Sequence, residues 1–345
     1  MFLCPPEDLQ YSEDQLGSLV DNLRDATVFL AGSTGFIGKC LVETLVWLSR
    51  SKDLNLKIHS VSRDPEKFFS VYPHFRNYFE FHLLKGDIRD QKMSFEGRAI
   101  DIMIHAAADV VAETRPEDLF DSCARGTENL LDFARQQSCK KFLLLSSGAV
   151  YGKLPKDLDC FPESFRGGID LSSSKSAYAL GKQVSEWVTQ QNAQQMDVSI
   201  ARCFAFVGPY LPIDGHFAIG NFIRDVLANR DIEINGDGTP LRTYLYTSDL
   251  CVWLLKILLS GESGDVFNVG GNEVVSIAEL AALVNEMNDS KVNVRIHDTS
   301  KNKLVDVYIP NIDKISFKLG LYPGVNLKMA IQKTLHWNQV HGNFH

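Results

Sequence analysis

The stretch Thr27-Val-Phe-Leu-Ala-Gly32-Ser-Thr-Gly35-Phe-Ile-Gly38 decides the fold. An apolar run of β-branched and aromatic residues enters a loop with glycines spaced G-x-x-G-x-x-G. A helical pattern (Leu41, Val42, Leu45, Val46, Leu48) starts directly behind it. This reads as a strand, a tight turn and a helix N-terminus. Glycines there let backbone N–H groups approach a pyrophosphate, whose charge the helix dipole favours. The spacing is looser at its start than G-x-G-x-x-G, and a glycine triplet alone also suits a purely structural turn. Its place between strand and helix selects the dinucleotide site.

Further strands alternate with helices. Leu56–Ser62 is a second strand, Phe81–Asp87 a third ending in Gly-Asp, Ile100–Ala108 a fourth and Lys141–Ser147 a fifth. Thr127–Ala134 continues a helix. The alternation predicts a parallel, doubly wound α/β sheet. An acidic residue at the end of the second strand would bind the ribose hydroxyls of NAD. Ser62 and Arg63 stand there instead, and Asp64-Pro65-Glu66 reads as an N-cap with proline at the first helical position. Serine followed by arginine suits the 2′-phosphate of NADP, the alternative being an exposed Arg63 with no ligand. Asp87 falls near the adenine, and the small side chains of Ala106, Ala107 and Ala108 let a cofactor lie close. His105 reads as a strand-end histidine rather than a catalyst.

Bulk properties narrow the class. The 345 residues suffice for one large or two modest domains, and 45% hydrophobic with 23% charged content is that of a globular protein in water. A net charge of −8 argues against general binding to nucleic acid or an anionic membrane. Seven scattered cysteines with no C-x-x-C read as reduced thiols of a cytoplasmic protein, with no metal site. Met1–Asp8 lacks the pattern of a secretory signal. The longest apolar stretch, Leu250–Leu259, contains Lys256 and reads as a buried helix, too short to span a membrane.

The stretch Ser172-Ser-Ser-Lys-Ser-Ala-Tyr178-Ala-Leu-Gly-Lys182 opens another helix. Tyr178 and Lys182 share one helical face. A free phenol, with pKa near 10, is a poor acid–base group at neutral pH, and an adjacent ammonium favours its ionised form. Ser147, at a neighbouring strand end, can hydrogen-bond the same substrate oxygen. Y-x-x-x-K alone is common on helices; after a nucleotide-binding half and a Ser-Ser strand end it reads as catalytic. A binding module or redox sensor using the fold without chemistry would not need this pair.

These motifs carry a resemblance. With Gly86-Asp87, His105-Ala-Ala-Ala, Gly126-Thr127, Ser146-Ser-Gly-Ala-Val-Tyr-Gly152, Gly208-Pro209, Gly236–Asp249 and Val266–Gly271, the chain resembles an extended short-chain dehydrogenase/reductase. Within that group it is similar to the nucleotide-sugar epimerase/dehydratase family, over about residues 26–335. The resemblance implies a Rossmann domain at 26–202, with return segments near 242–270. It implies a smaller α/β lobe from 203–241 and 271–340 that grips a nucleoside-diphosphate sugar. Residues 1–25 form a helical extension, with Ser12 and Gln15 as a capping box. Transferred by position, Ser147, Tyr178 and Lys182 are catalytic. The cofactor set is Gly32, Thr34, Gly35, Phe36, Ile37, Gly38, Ser62, Arg63, Asp87, Ile88, Ala106, Ala107 and Ala108, with Tyr178 and Lys182. Asn221 and Arg242, with Ser147, contact substrate, Arg242 as a fork for the diphosphate.

Departures from the family choose the reaction. Dehydratases carry an Asp-Glu pair after the catalytic hydroxyl and decarboxylases a Glu, whereas Gly148 and Ala149 stand here. Cys123 replaces an asparagine before Gly126-Thr127, and Ala205 replaces another after Arg202. The expectation is an NADPH-dependent nucleotide-sugar 4-ketoreductase, the alternative an NAD-dependent 4-epimerase. Relatives commonly dimerise through the helix of Tyr178, where Val184, Trp187 and Val188 suit an interface or a core equally. Ser276 with Glu279 predicts a capping box, Leu304–Ile309 an extended segment, and Lys328–Trp337 a last helix before a frayed His341–His345.

Overall fold

Seven apolar runs pair side by side. In the computed structural model, which describes residues 1–90, 99–107, 115–215, 217–288, 291–298 and 305–342, they begin with β1 (Thr27–Ala31), β2 (Lys57–Ser62), β3 (Phe81–Lys85) and β4 (Ile102–His105). Next come β5 (Lys141–Ser147) and β6 (Asp197–Cys203). Short strands follow: β7 (Phe206–Val207), β8 (Ile232–Ile234), β9 (Leu241–Arg242) and β10 (Leu245–Tyr246). β11 (Asp265–Val269) completes the main sheet, with β12 (Val275–Ser276), β13 (Val294–Ile296) and β14 (Val307–Tyr308) beyond it. The sheet order is β11-β6-β5-β4-β1-β2-β3, parallel throughout. The order reverses between β1 and β4, and ligands of such sheets bind outside the strand ends at that point.

Among the described residues, ten α-helices accompany the strands: α1 (Pro6–Leu16), α2 (Phe36–Ser51), α3 (Pro65–Val71), α4 (Pro116–Gln136), α5 (Ala177–Gln190), α6 (Ala218–Leu227), α7 (Thr247–Ser260), α8 (Ile277–Met287), α9 (Asp313–Leu319) and α10 (Leu327–His341). The two-residue period of a strand divides β1 between two cores. Val28 and Leu30 pack with Leu41, Leu45, Leu250 and Leu254 of α2 and α7. Phe29 and Ala31 pack with Leu130, Leu131 and Phe133 of α4. A separate cluster joins Phe222 and Val226 of α6, Leu280 and Val284 of α8, and Ile331 and Leu335 of α10. No helix among the described residues is long and apolar enough to cross a membrane.

Local signals settle the helix starts. Asp64 accepts from Lys67 N (3.0 Å) ahead of Pro65, and Ser276 with Glu279 forms a reciprocal capping box. The capping box expected at Ser12 does not form. Proline at the first helical position starts α1 at Pro6, so Ser12 lies mid-helix and its Oγ donates to Asp8 O (2.9 Å). The end of the chain also differs from expectation, because α10 runs on to His341, whose ring lies 5.4 Å from that of Trp337. Residues 343–345 and Leu304 fall outside the described residues. The N-terminal extension is tied down by buried carboxylates. Asp249 accepts from Tyr11 OH (2.6 Å) and from the amides of Gly324 and Val325, while Asp8 accepts from Tyr246 OH (2.7 Å) and Lys333 Nζ (2.6 Å).

Candidate active site

The glycine turn backs onto the end of β4. Gly32 has φ +91°, and a Cβ there would lie 2.6 Å from Ala106 C and Ala107 N, so glycine is demanded by conformation and by space. A Cβ on Gly38 would lie 2.0 Å from Gly32 O. Gly35, the N-cap of α2, offers no side-chain acceptor, so the first amides of that helix have no capping partner in the turn. Phe36 and Ile37 turn their side chains to the apolar core, which leaves their backbone to face a ligand. This turn fits a pyrophosphate. Thr34 sits within it, partly exposed, and Ala108 lies outside the described residues.

At the far ends of β2 and β3 the local hydrogen bonds are already engaged. Ser62 Oγ accepts from Asp64 N (3.3 Å), and Arg63 is exposed. Arg89 grips Asp87 through Nε (3.0 Å to Oδ1) and Nη2 (2.6 Å to Oδ2). The hydrogen bonds from Arg89, and more weakly the charge of Arg63, hold the Asp87 carboxyl below its ordinary range. Ile88 is buried, its carbonyl accepting from Asn129 Nδ2 (3.0 Å). Arg89 was not foreseen from the sequence.

Ser147, Tyr178 and Lys182 meet at the end of β5. Ser147 Oγ accepts from Ala149 N (3.1 Å) and hydrogen-bonds Tyr178. Lys182 Nζ donates to Leu145 O (2.7 Å) and lies 5.9 Å from the centre of the Tyr178 ring. Burial pushes the Tyr178 phenol above its ordinary value, with Ser147 acting in the opposite sense, and burial lowers that of Lys182. The phenol is thus held protonated until a ligand changes the balance. His105 is buried in the core: Nε2 meets Thr127 Oγ1 (2.9 Å), Nδ1 has no partner among the described residues, and burial, with the charge of Lys182 behind it, drives its pKa well down. Thr127 Oγ1 in turn donates to the carbonyl of Cys123 (2.6 Å).

Gly148 has no room for a side chain. A Cβ there would lie 2.8 Å from Phe204 Cε1 and Cζ and from Tyr308 Oη. Tyr308 Oη is 3.4 Å from Ser147 Oγ, and its ring packs on Phe204 with centres 4.6 Å apart. The strand pairing of β14 with β9 sets Tyr308 beside Arg242. Arg242 donates through Nη2 to Asp306 Oδ2 (2.5 Å) and through Nη1 to Leu241 O (2.8 Å), its guanidinium 5.8 Å from the Tyr308 ring centre. Asn221 lies on α6 with Arg224 as its side-chain partner (3.3 Å), and no hydrogen bond among the described residues joins it to Arg242. Tyr308, Phe204 and Asp306 gave no signal in the sequence, because a pairing across 161 residues brings Tyr308 to Ser147.

A dinucleotide turn, a Ser-Tyr-Lys cluster and a parallel Rossmann-like sheet define a recognisable enzyme architecture. The model of the NAD dependent epimerase/dehydratase family matches residues 28–270. The chain belongs to this family. Among curated members it is 27% identical over 311 residues to UDP-glucuronic acid decarboxylase 2 of Arabidopsis thaliana, covering 88% of this chain and 66% of that protein. It is 29% identical over 283 residues to dTDP-D-glucose 4,6-dehydratase of Homo sapiens, covering 78% and 77%. Solved structures of family members share the fold. The dTDP-glucose 4,6-dehydratase of Bacillus anthracis, in complex with NAD, superposes with a TM-score of 0.77 at 20% identity, over 91% of this chain and 97% of that one. The UDP-glucose 4-epimerase of Thermotoga maritima, with UDP-glucose, gives 0.74 at 21% identity, over 91% and 99%.

Proposed function

We propose that this family member reduces the C4 carbonyl of a 4-keto nucleoside-diphosphate sugar with NADPH, without losing water or carbon dioxide. One observation carries the reading. The Ser147, Tyr178 and Lys182 side chains converge, while neither residue that follows Ser147 is an acid: Gly148 is walled by Phe204 and Tyr308, and Ala149 ends at a methyl group. A nicotinamide bound beside the cluster supplies the hydride. Ser147 then orients the carbonyl oxygen, and the protonated Tyr178 delivers the proton that turns it into a hydroxyl. Lys182 stabilises the phenolate left behind. Lowering a phenol by about three pH units requires roughly 4 kcal/mol of differential stabilisation, within reach of an ammonium and a cationic ring together.

The preference for NADPH rests on Arg63, with Arg89 as a second cation beside Asp87. Arg242 would exchange Asp306 for the sugar-nucleotide diphosphate, with Asn221 as a further contact. In the same reading the segments 26–202 and 242–270 hold the dinucleotide and the segments 203–241 and 271–340 hold the sugar. Two cytoplasmic copies would pair across α4 and α5, where Trp187 is 64% exposed; sedimentation as a monomer at micromolar concentration would refute that pairing.

A second reading, a 4-epimerase that retains NAD, is favoured by the NAD dependence of the family. Its chemistry needs the same three residues. Identifying the dinucleotide bound to, or preferred by, the purified protein separates the two. Net consumption of NADPH supports the reductase; tightly held NAD⁺ with no NADPH consumption reverses the order.

A further inference from the structure

Behind the catalytic cluster lies a buried ion pair that the proposed reaction does not touch. Ser146, Arg202 and Asn268 are neighbours across β5, β6 and β11. Glu186 reaches them from α5, accepting from Ser146 Oγ (2.6 Å), Arg202 Nε (2.9 Å) and Arg202 Nη2 (2.7 Å). Arg202 continues through Nη1 to Tyr151 OH (2.8 Å), which donates to Asn268 Oδ1 (2.7 Å). The side chains of the pair are only 12% and 11% exposed.

The placement of this pair is coupled to the catalytic residues. Tyr178, Lys182 and Glu186 are spaced i, i+4 and i+8, so they share one face of α5. Opposite them, three consecutive residues of β5 each take one partner. Ser147 meets Tyr178, the carbonyl of Leu145 takes the Lys182 ammonium, and Ser146 takes Glu186. A buried ion pair is a weak source of stability, since apolar side chains of similar volume usually do as well. What charges at this position can do is set the field at Tyr178. Unpaired, Glu186 would stand one helical turn from Lys182 and oppose a phenolate.

We propose that Glu186 and Arg202 form a charge-balanced positioning pair that clips the helix of Tyr178 and Lys182 onto the strand of Ser147, with Arg202 cancelling the field of Glu186 so that the Lys182 ammonium acts on Tyr178 undiminished. This rests on the reading of Tyr178 as the proton donor. Tyr178 is faced by Ser147, Tyr308, Cys123 and Cys203, and Lys182 by Cys123, Cys203, Glu186 and His105. Arg202 is faced by Glu186, Tyr151 and Glu163, and Glu163 also by Lys314. Lys182 is the cation of this set on α5, Glu186 is the carboxylate that acts on it, and Arg202 is paired with that carboxylate.

The test is a titration of Tyr178 by NMR in protein carrying ζ-¹³C tyrosine and saturated with NADP⁺, the resonance identified by its loss in Tyr178→Phe. A single uncompensated charge about 10 Å away, at an effective dielectric of about 20 to 40, moves the midpoint by roughly half to one pH unit. Arg202→Met should raise the midpoint, Glu186→Gln should lower it, and the double variant should return it to the wild-type value. Arg202→Lys, which keeps the charge, should leave it in place. If Arg202→Met does not fold, Glu186→Gln and the double variant, which buries no unpaired charge, still decide. A purely structural pair would leave every midpoint unmoved. That result, shifts of one sign in both single variants, or a Tyr178 that stays protonated throughout would overturn the proposal. The titration needs no substrate, so its failure is distinct from failure of the reductase reading, which would show as undiminished turnover by Tyr178→Phe.

Discussion

Adding one methyl group at Gly148 tests the wall that distinguishes this site. In Gly148→Ala the new Cβ would meet two carbons of Phe204 and the hydroxyl of Tyr308 at 2.8 Å. Relief to ordinary contact near 3.4 Å demands a movement of about 0.6 Å by rings that are themselves held. Phe204 is buried, with Tyr151 and Phe161 6.3 Å away and Tyr308 4.6 Å away between ring centres. Overpacking of this kind costs about 1–3 kcal/mol, against a gain of about 0.4–1 kcal/mol from stiffening the unfolded chain. The net expectation is a loss of about 1–2 kcal/mol, or a Tm lower by roughly 1–3 °C in a chain of this length. Thermal unfolding of wild type and variant, followed by calorimetry at one scan rate, reads it directly. Removing the Tyr308 hydroxyl as well (Tyr308→Phe) eliminates one of the three close contacts, so the penalty should shrink in the double variant. A Gly148→Ala protein as stable as wild type would refute the reasoning, because position 148 would then have room for a side chain and the wall of Phe204 and Tyr308 would exclude nothing there.

Three other outcomes follow from named residues. Tyr178→Phe should leave dinucleotide binding nearly unchanged and cost at least about two orders of magnitude in turnover, the scale of general acid catalysis; equal turnover would remove Tyr178 from the mechanism. Arg242→Ala should weaken a sugar nucleotide such as UDP-glucose by at least about thirtyfold while sparing NADPH. Its ion pair with the exposed Asp306 is worth only about 0–1 kcal/mol, whereas a desolvated diphosphate contact is worth about 2–4 kcal/mol; calorimetric titration showing the opposite pattern would mean the two phosphate sites are misassigned. His105 gives a pH signature. Folding depresses its pKa, so below about pH 6.5 the unfolded chain binds a proton that the folded chain refuses, and stability falls with falling pH by up to about 1.4 kcal/mol per unit. His105→Gln should flatten that slope in urea unfolding between about pH 7 and pH 5, and an unchanged slope would contradict the assignment.

What the sequence disclosed and what it hid follow one physical division. The glycine turn, the strand runs and Tyr178-x-x-x-Lys182 are local: adjacent residues dictate strand, turn and helix face, and the sheet follows from their alternation. Asp64-Pro65 and Ser276 with Glu279 were readable for the same reason. Ser12 and Gln15 misled because proline at the first helical position outweighs a serine six residues on. Glu186, one turn beyond Lys182, went unread because its meaning depends on Arg202 arriving from β6. Tyr308 and Asp306 were invisible because β14 reaches Ser147 and Arg242 only through pairing with β9.

The central claim is hydride transfer to C4 with nothing expelled. The most direct measurement supplies the protein with a 4-keto nucleoside-diphosphate sugar and NADPH deuterated at the transferable position, then weighs the product by mass spectrometry. A sugar nucleotide carrying one deuterium at C4, formed in step with NADPH oxidation, is the predicted result. A product lighter by water or carbon dioxide, or one formed with no deuterium and no loss of NADPH, would contradict it.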